Sequence, residues 1–224
     1  MFLTIRSLLT PEEVARLQAI GQQMKFLDGK LTNTLHTAKQ NLQAPRDPSN
    51  ALYMESAAIV SNAYLRSREF GDFTLAKQLS HPLLSRYDVG MKYGGHSDSA
   101  HLPIPPNILL RTDLSSTVFI SDPSAYEGGE LVIHVGDHRV PVKLGAGDAI
   151  VYPSTWLHEV TEVTSGSRLV SVCFIESMIR DQHRRTQLYE LKRVAELEKD
   201  RMSWDNRMRM EVAVQNLLRM WSEG

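Results

Sequence analysis

The sequence lacks the features that mark several specialised classes of protein. Its only cysteine is Cys173, which excludes an internal disulfide and a cysteine-based zinc site. No apolar run approaches the roughly 18 residues that a membrane-spanning helix needs. The first residues, MFLTIRSLLTPEE, lack the basic start, long apolar core and small-residue cleavage site of a signal peptide. We therefore expect a cytoplasmic protein that does not act at a membrane.

The sequence also lacks an excess of positive or negative charge. The 25 Lys and Arg residues nearly balance the 26 Asp and Glu residues, so we expect neither nucleic acid nor an anionic membrane as a partner. Hydrophobic residues make up 42% of the chain and charged residues 23%, as in ordinary globular proteins. A chain of 224 residues can bury roughly 70% of its unfolded surface, so one sizeable core is expected.

Residues 1–77 are predicted to form a helical support that includes a long loop. Thr10-Pro11-Glu12-Glu13 combines a capping threonine, a proline at the first helical position and a capping-box glutamate, which together predict the start of a helix. The polar stretch 28–50 predicts a long loop, and such loops are often lids over a functional site. A second helix, rich in alanine, is expected over about 49–66.

Residues 78–178 have a different pattern, with short apolar runs separated by glycine-rich turns. This pattern predicts an antiparallel sandwich or barrel, and the absence of long intervening helices argues against a parallel sheet. The predicted strands are 83–93, 116–120, 131–135, 140–144, 149–152 and 168–175. Residues 179–224 are predicted to be a helical tail. Its apolar stripe either packs on the barrel or forms a subunit interface between identical chains.

Three residues predict a metal site. His96 and Asp98 follow a predicted strand, and they point to one face if residues 96–98 are extended, because strand side chains alternate. His158 follows a predicted turn 62 residues later, which leaves room for the intervening strands. Two imidazoles and a carboxylate form a facial triad that leaves open positions on Fe(2+). Taken singly, each residue is also explained by a surface turn or a structural histidine.

Arg168 is predicted to bind an anion beside that metal. It comes ten residues after His158, at the head of the next predicted strand. A buried arginine is costly unless an anion pairs with it, and its planar guanidinium matches a carboxylate. A dicarboxylate that chelates the iron at one end would meet Arg168 at the other. An exposed arginine in a salt bridge is the alternative.

The order His-x-Asp, distant His and Arg ten residues later resembles the iron(II)/2-oxoglutarate-dependent dioxygenases. Motifs over most of the chain resemble, more specifically, the bacterial PKHD-type hydroxylases, which are prolyl-4-hydroxylase-like proteins. Lys39-x-Asn41-x-Gln43 also resembles this family, whereas Ser99 departs from it, since an asparagine is expected there. The other motifs are Arg111-Thr112-Asp113-Leu114-Ser115, Tyr126-Glu127-Gly128-Gly129-Glu130-Leu131, Gly145-x-Gly147-Asp148, Tyr152-Pro153-Ser154 and Ser177-Met178-Ile179-Arg180-Asp181.

The resemblance implies a mainly β fold with flanking helices and a double-stranded β-helix, or jelly-roll, core. It implies an enzyme in which His96, Asp98 and His158 hold Fe(2+) and Arg168 binds 2-oxoglutarate. The reaction would hydroxylate a substrate with O2 and release succinate and CO2, with L-ascorbate as an expected reductant. The substrate stays open among peptidyl proline, an amino acid and a small natural product. The three segments are expected to form one compact unit.

Several further residues are weighed for the co-substrate and the metal. Similar dioxygenases use a tyrosine before the first histidine to bind the co-substrate, and we favour Tyr87 over Tyr93 for this role. Alternation along the strand places both tyrosines on the face opposite to His96, unless Gly94-Gly95 forms a bulge. Thr112 and Thr117 are further co-substrate contacts to consider. His134 and His138 are an alternative metal pair on a hairpin tip, and His101 is a candidate for the entrance.

Two other functions fit the same residues. A cupin-type metal oxygenase or isomerase would use the three metal ligands without 2-oxoglutarate, which would leave Arg168 without a task. A non-catalytic jelly-roll binding module would use the helical tail as its interface, and the His-Asp-His set would then be incidental.

Overall fold

The computed structural model describes residues 1–32, 38–104 and 107–223. Helix α1 (Pro11–Gln23) begins with the predicted capping box, in which Thr10 and Glu13 each accept a hydrogen bond from the other's backbone N–H. Helix α2 (Ala51–Arg66) begins after the capping residue Asn50. Both predicted helices are confirmed. Helix α3 (Arg68–Thr74) was not predicted, because its seven residues are too few to show a clear 3.6-residue period.

Sixteen strands lie in the described ranges, and all their pairings are antiparallel. The strands are β1 (Leu3–Ile5), β2 (Leu27–Asp28), β3 (Lys39–Gln40), β4 (Leu42–Gln43), β5 (Ala76–Leu79), β6 (Leu83–Asp88), β7 (Lys92–His96), β8 (His101–Ile104), β9 (Ile108–Arg111), β10 (Leu114–Phe119), β11 (Tyr126–Gly128), β12 (Leu131–Val135), β13 (His138–Val142), β14 (Ala149–Pro153), β15 (His158–Val160) and β16 (Val163–Ser177).

The strands form two main sheets. In the described part of the chain, the larger sheet runs β1-β14-β10-β16-β6-β4-β2, with β5 and β11 also paired to β16, and the smaller runs β13-β12-β15-β7-β3. Apolar side chains of both sheets pack together in one core, including Phe119, Ile133 and Ile150. A second core joins the larger sheet to α1, α2 and α3. The mainly β fold with a jelly-roll core and flanking helices is thus confirmed.

Three local predictions need correction. The stretch 28–50 is not one long loop, because it contains strands. Strand β2 pairs with β4, β3 pairs with β7 and β4 also pairs with β6. Residues 33–37 of that stretch lie outside the described ranges. The predicted strand 83–93 is two strands that belong to different sheets, since a turn at 89–91 separates β6 from β7. The alternation argument for Tyr87 and Tyr93 was therefore wrong.

The third correction concerns β16, which starts five residues before Arg168 rather than at it. The predicted turn at 164–166 lies inside this strand. Gly166 has a φ of +71°, which suits glycine, and it pairs with Tyr126 of β11. The strand is long because β11 extends the sheet past the point where the other partners end.

The tail consists of α4 (Gln182–Glu198) and α5 (Trp204–Trp221). Val214 of α5 and Leu188 of α4 are buried against Leu75 and Ile179 in a third apolar cluster. The apolar stripe of the tail therefore packs on the body of the protein. Among the described helices, none is both long enough and apolar enough to cross a membrane.

Candidate active site

The structure brings His96, Asp98 and His158 together. His96 is the last residue of β7 and His158 the first of β15, and the two are register partners across these strands. Asp98 lies two residues beyond β7, outside the strand. Its carboxylate oxygens are 4.0 Å from Nε2 of His96 and 3.7 Å from Nε2 of His158. One ligand atom from each residue lies within 4.8 Å of the others.

Hydrogen bonds to backbone carbonyls orient the imidazoles of His96 and His158. Nδ1 of His96 lies 2.8 Å from the carbonyl oxygen of Gly94, and Nδ1 of His158 lies 2.9 Å from that of Trp156. A carbonyl only accepts, so each Nδ1 carries the proton and each Nε2 presents a lone pair. This is the arrangement that protein histidines adopt around metals. The ring of His96 is further held by Tyr93, which stacks on it with centroids 3.6 Å apart.

Asp98 is held by two serines. The carboxylate of Asp98 accepts a hydrogen bond from Ser115 Oγ, which in turn lies 2.7 Å from Ser154 Oγ. The backbone N–H of Asp98 donates to the carbonyl oxygen of Ser154. Burial raises the pKa of Asp98, although the charges of His158 and Lys39 and the bond from Ser115 oppose the shift. A buried carboxylate is costly without a cation. The donor set of two imidazoles and one carboxylate therefore fits a divalent transition metal.

Arg168 is buried in the same cavity, with 1% of its surface exposed. Its Nε has no hydrogen-bond partner, and the described residues offer it no ion pair. Its guanidinium carbon lies 5.0 Å from the ring centre of Tyr87, its register partner on β6, and 5.6 Å from that of Phe119. Since an unpaired buried cation costs several kcal/mol, this arrangement indicates that an anionic ligand belongs beside Arg168.

The motif at residues 126–131 lies beside Arg168. Gly129 has a φ of +63°, and a side-chain carbon at this position would lie 3.1 Å from Cδ of Arg168 and 3.3 Å from the ring of Tyr126. A glycine is needed here because any other residue would be strained at this positive φ and its side chain would crowd Arg168 and Tyr126. The motif thus allows the backbone to pass close to the arginine.

The cavity has a volume of about 130 Å³, which is below the 300–1,000 Å³ of pockets for drug-sized ligands. It therefore suits a small ligand. Tyr87 lies in its wall, and burial raises the pKa of Tyr87 to about 12, so the hydroxyl stays protonated at neutral pH. Thr112 and Thr117 also line the cavity.

Other predicted residues lie elsewhere. His101 is exposed on β8, and neither it nor His134 or His138 lines the cavity. His134 instead lies 3.7 Å from a carboxylate oxygen of Glu159. In the described part of the chain, His134 and His138 belong to no group with metal-binding geometry.

Sequence reasoning missed four residues of the site. Ser115 and Ser154 were noted only as parts of motifs, and Tyr93 was considered only as a co-substrate contact and not as a support for His96. Lys39 is buried in the cavity wall with 4% of its surface exposed. The signal that points to it is the alternation Lys39-x-Asn41-x-Gln43, which places three polar side chains on one face of an extended segment.

Comparison with known proteins agrees with this geometry. Residues 82–176 match the model of the 2OG-Fe(II) oxygenase superfamily. The chain is 41% identical over 214 residues to a PKHD-type hydroxylase of Sphingopyxis alaskensis, covering 96% of each protein. Among solved structures, a Pseudomonas putida prolyl-4-hydroxylase is 16% identical with a TM-score of 0.58, over 79% of this chain and 92% of that one. HygX from Streptomyces hygroscopicus was solved with nickel, 2-oxoglutarate and hygromycin B. It is 14% identical with a TM-score of 0.55, over 79% of this chain and 82% of that one.

Proposed function

Since the chain belongs to the PKHD-type hydroxylases, which are 2-oxoglutarate- and iron(II)-dependent oxygenases, we propose that His96, Asp98 and His158 are its iron ligands and that Arg168 binds the distal carboxylate of 2-oxoglutarate. The observation that carries this proposal is one cavity with three converging metal donors and an unpaired, buried arginine in its wall. The enzyme uses O2 and a substrate whose identity the family does not specify.

Each residue has a distinct task in this proposal. The two histidines and Asp98 would hold the metal, and a set of three protein ligands would leave coordination positions for the co-substrate. Arg168 pairs with the carboxylate that is remote from the metal, and this contact orients the co-substrate. Tyr87, whose hydroxyl is protonated, supplies a hydrogen bond to the co-substrate. Iron(II), when bound, supplies the redox chemistry that couples conversion of 2-oxoglutarate and O2 into succinate and CO2 to hydroxylation of the substrate.

A cupin-type oxygenase or isomerase accounts for the metal donors but not for Arg168. Such an enzyme would have no dianion to pair with this arginine, and the cost of burying it would go uncompensated. A non-catalytic jelly-roll module accounts for neither feature. The 2-oxoglutarate-dependent reaction is therefore the function that accounts for both the metal donors and Arg168.

We also propose that the three segments of the chain act as one compact unit in the cytoplasm. The third apolar cluster, which joins the tail to the body, supports the first statement. The lone and buried Cys173 is compatible with a reducing compartment. The tail retains exposed apolar side chains such as Leu197 and Trp204, which support an association of two chains through this region.

The test of the proposed function is a succinate-release assay on protein purified without metal. Wild-type protein should release succinate slowly, even without its substrate, only when Fe(II), 2-oxoglutarate and O2 are all present. The His96→Ala variant should lose this turnover, whereas His138→Ala, which alters an exposed residue on β13, should keep it. Succinate release by His96→Ala at the wild-type rate would show that the metal ligands are wrong.

A further inference from the structure

Tyr126 and Arg168 belong to paired strands. Tyr126 is the first residue of β11 and is buried, and its register partner on β16 is Gly166, two residues before Arg168. Strand side chains alternate, so residues two apart share a face of the sheet. Diagonal neighbours of this kind lie about 7–8 Å apart, within reach of an aromatic ring and a long side chain. The pairing is therefore expected to bring the side chains of Tyr126 and Arg168 together.

The surroundings of Gly129 confirm that these side chains meet. A side-chain carbon built on Gly129 would lie 3.1 Å from Cδ of Arg168 and 3.3 Å from Cε2 of Tyr126. Cδ carries Nε of the arginine, and Cε2 is bonded to the ring carbon that carries the hydroxyl. The polar ends of the two side chains therefore extend from the same small region, beside the glycine that leaves room for both.

Neither polar end forms a regular hydrogen bond. Within the described ranges, Nε of Arg168 and the hydroxyl of Tyr126 are both buried and lack a partner of suitable geometry. Burial raises the pKa of Tyr126, whereas the nearby charge and N–H groups of Arg168 oppose the rise. The two groups are thus close enough to interact but are not aligned. Nε–H is a donor and the hydroxyl oxygen an acceptor, so each offers what the other lacks.

Lys143 holds Tyr126 in position. Its Nζ donates a hydrogen bond to the backbone carbonyl of Tyr126 and lies 4.1 Å from the centre of the tyrosine ring. The hydrogen bond fixes the backbone, and the cation–π contact restrains the ring. Binding groups keep their geometry when such contacts lock their supports. The tyrosine is therefore a suitable support for the longer and more flexible arginine side chain.

The aromatic contacts of Arg168 leave one rotation free. The ring centres of Tyr87 and Phe119 lie 5.0 Å and 5.6 Å from its guanidinium carbon. A ring that faces a guanidinium restrains its tilt, whereas a hydrogen bond to one N–H restrains its rotation within its own plane. Bidentate pairing with a carboxylate depends on that rotation, because two parallel N–H groups must point at the two oxygens.

We propose that Tyr126 is a positioning residue whose hydroxyl oxygen accepts a hydrogen bond from Nε–H of Arg168, which leaves the two terminal nitrogens of the guanidinium to pair with the distal carboxylate of 2-oxoglutarate. This inference rests on the proposed function and adds a residue to its co-substrate site. Through Arg168, Tyr126 contributes to the selection of a dicarboxylate over 2-oxo acids that lack the distal carboxylate.

The experiment compares two 2-oxo acids on nickel-loaded protein, so that no turnover occurs. 2-Oxopentanoate has the carbon chain of 2-oxoglutarate but a methyl group in place of the distal carboxylate, and the wild type should bind it more weakly. Tyr126→Phe should raise the Kd for 2-oxoglutarate by roughly 3- to 10-fold, as the loss of one hydrogen bond implies. The Kd for 2-oxopentanoate should stay unchanged.

Two results with Tyr126→Phe would overturn the proposal. An unchanged Kd for 2-oxoglutarate would show that the hydroxyl does not support Arg168. An equal rise in both Kd values would show that the substitution disturbs the cavity as a whole. Phenylalanine keeps the ring beside Lys143, so the variant should fold. Tyr189→Phe, which removes a hydroxyl from α4 of the tail, is the matched control and should keep both Kd values.

A double variant tests whether Tyr126 acts through Arg168. In the Arg168→Ala background, Tyr126→Phe should cause no further loss of 2-oxoglutarate affinity, because the effects of directly coupled residues are not additive. A further loss as large as that in the wild-type background would show that Tyr126 acts without Arg168 and would contradict the inference. A wild type that binds the two acids equally would instead contradict the proposed function, in which Arg168 recognises the distal carboxylate.

Discussion

His158 lies directly opposite His96 in the register of β15 and β7, and their ring centroids are 4.3 Å apart. Two of the three proposed metal ligands are thus positioned by strand pairing. The third, Asp98, leaves the strand but is anchored by its backbone bond to Ser154. The pairing of β7 with β15 and the backbone bond of Asp98 therefore fix the relative positions of the three side chains.

The first prediction concerns metal binding to this site. Nickel, cobalt and zinc generally bind imidazole and carboxylate donors more tightly than iron(II), so each should displace iron and inhibit succinate release. A metal present at 100 times its Kd should stabilise the wild type by about 2.7 kcal/mol. Urea unfolding with and without nickel measures this gain. His158→Ala should lose the gain and His138→Ala should retain it; equal gains in both variants would contradict the triad.

The second prediction concerns Arg168. Arg168→Ala should raise the Kd for 2-oxoglutarate by roughly 30-fold or more, because a charge-assisted contact in a buried site is worth about 2–5 kcal/mol. Arg168→Lys should recover only part of the affinity, since an ammonium keeps the charge without the planar fork. Anaerobic titration of 2-oxoglutarate into iron-loaded protein gives these values. Unchanged affinity in Arg168→Ala would remove its co-substrate role.

That His96 and Asp98 lie close together could be predicted from the sequence, because it depends on a short-range pattern; that they bind a metal and that Arg168 binds the co-substrate stay predictions. Alternation of side chains along a strand places His96 and Asp98 on one face. Turn residues indicate that a strand begins near His158. The capping box at Thr10 is likewise local, and α1 begins where it predicts. The structure places His96, Asp98, His158 and Arg168 around one cavity.

The alternation Lys39-x-Asn41-x-Gln43 indicates a shared polar face, but the sequence does not show that this face lines the cavity or that Tyr93 stacks on His96, because both depend on which strands pair. Strands β3 and β4 have only two residues each, and they pair with β7 and β6. Tyr93 reaches His96 only because a turn at 89–91 moves the chain from one sheet to the other. Apolar periodicity carries no information about such changes of sheet.

The third prediction concerns the buried charge of Lys39. Its pKa in the folded apo-protein is about 8, compared with 10.5 in the unfolded chain. Between these pH values the unfolded state binds the extra proton, so stability should rise with pH. Relative to Lys39→Met, the wild type should gain about 2 kcal/mol between pH 7.5 and pH 10. Urea unfolding at pH 7.5 and pH 10 measures the change. A pH-independent difference between wild type and Lys39→Met would contradict the lowered pKa of Lys39.

The fourth prediction ranks three glycine-to-alanine substitutions by backbone geometry. Gly71 lies inside α3 and a side-chain carbon there would meet nothing within 4 Å, so alanine should stabilise the protein by about 0.5–1 kcal/mol. Gly90 has equally open surroundings but a φ of +82°, and alanine should cost roughly 1 kcal/mol. Gly128 combines a φ of +68° with a side-chain carbon placed 2.0 Å from the carbonyl oxygen of Glu162.

Alanine at position 128 should therefore be the most destabilising of the three, by roughly 3 kcal/mol or more, since backbone strain and a backbone clash add. Urea unfolding of the three apo-variants gives the order. Because Gly128 ends β11, which extends the larger sheet beside Arg168, Gly128→Ala should also weaken 2-oxoglutarate binding, whereas Gly71→Ala and Gly90→Ala should leave it unchanged. A Gly128→Ala variant as stable as Gly90→Ala would show that β11 can shift away from β16 without cost.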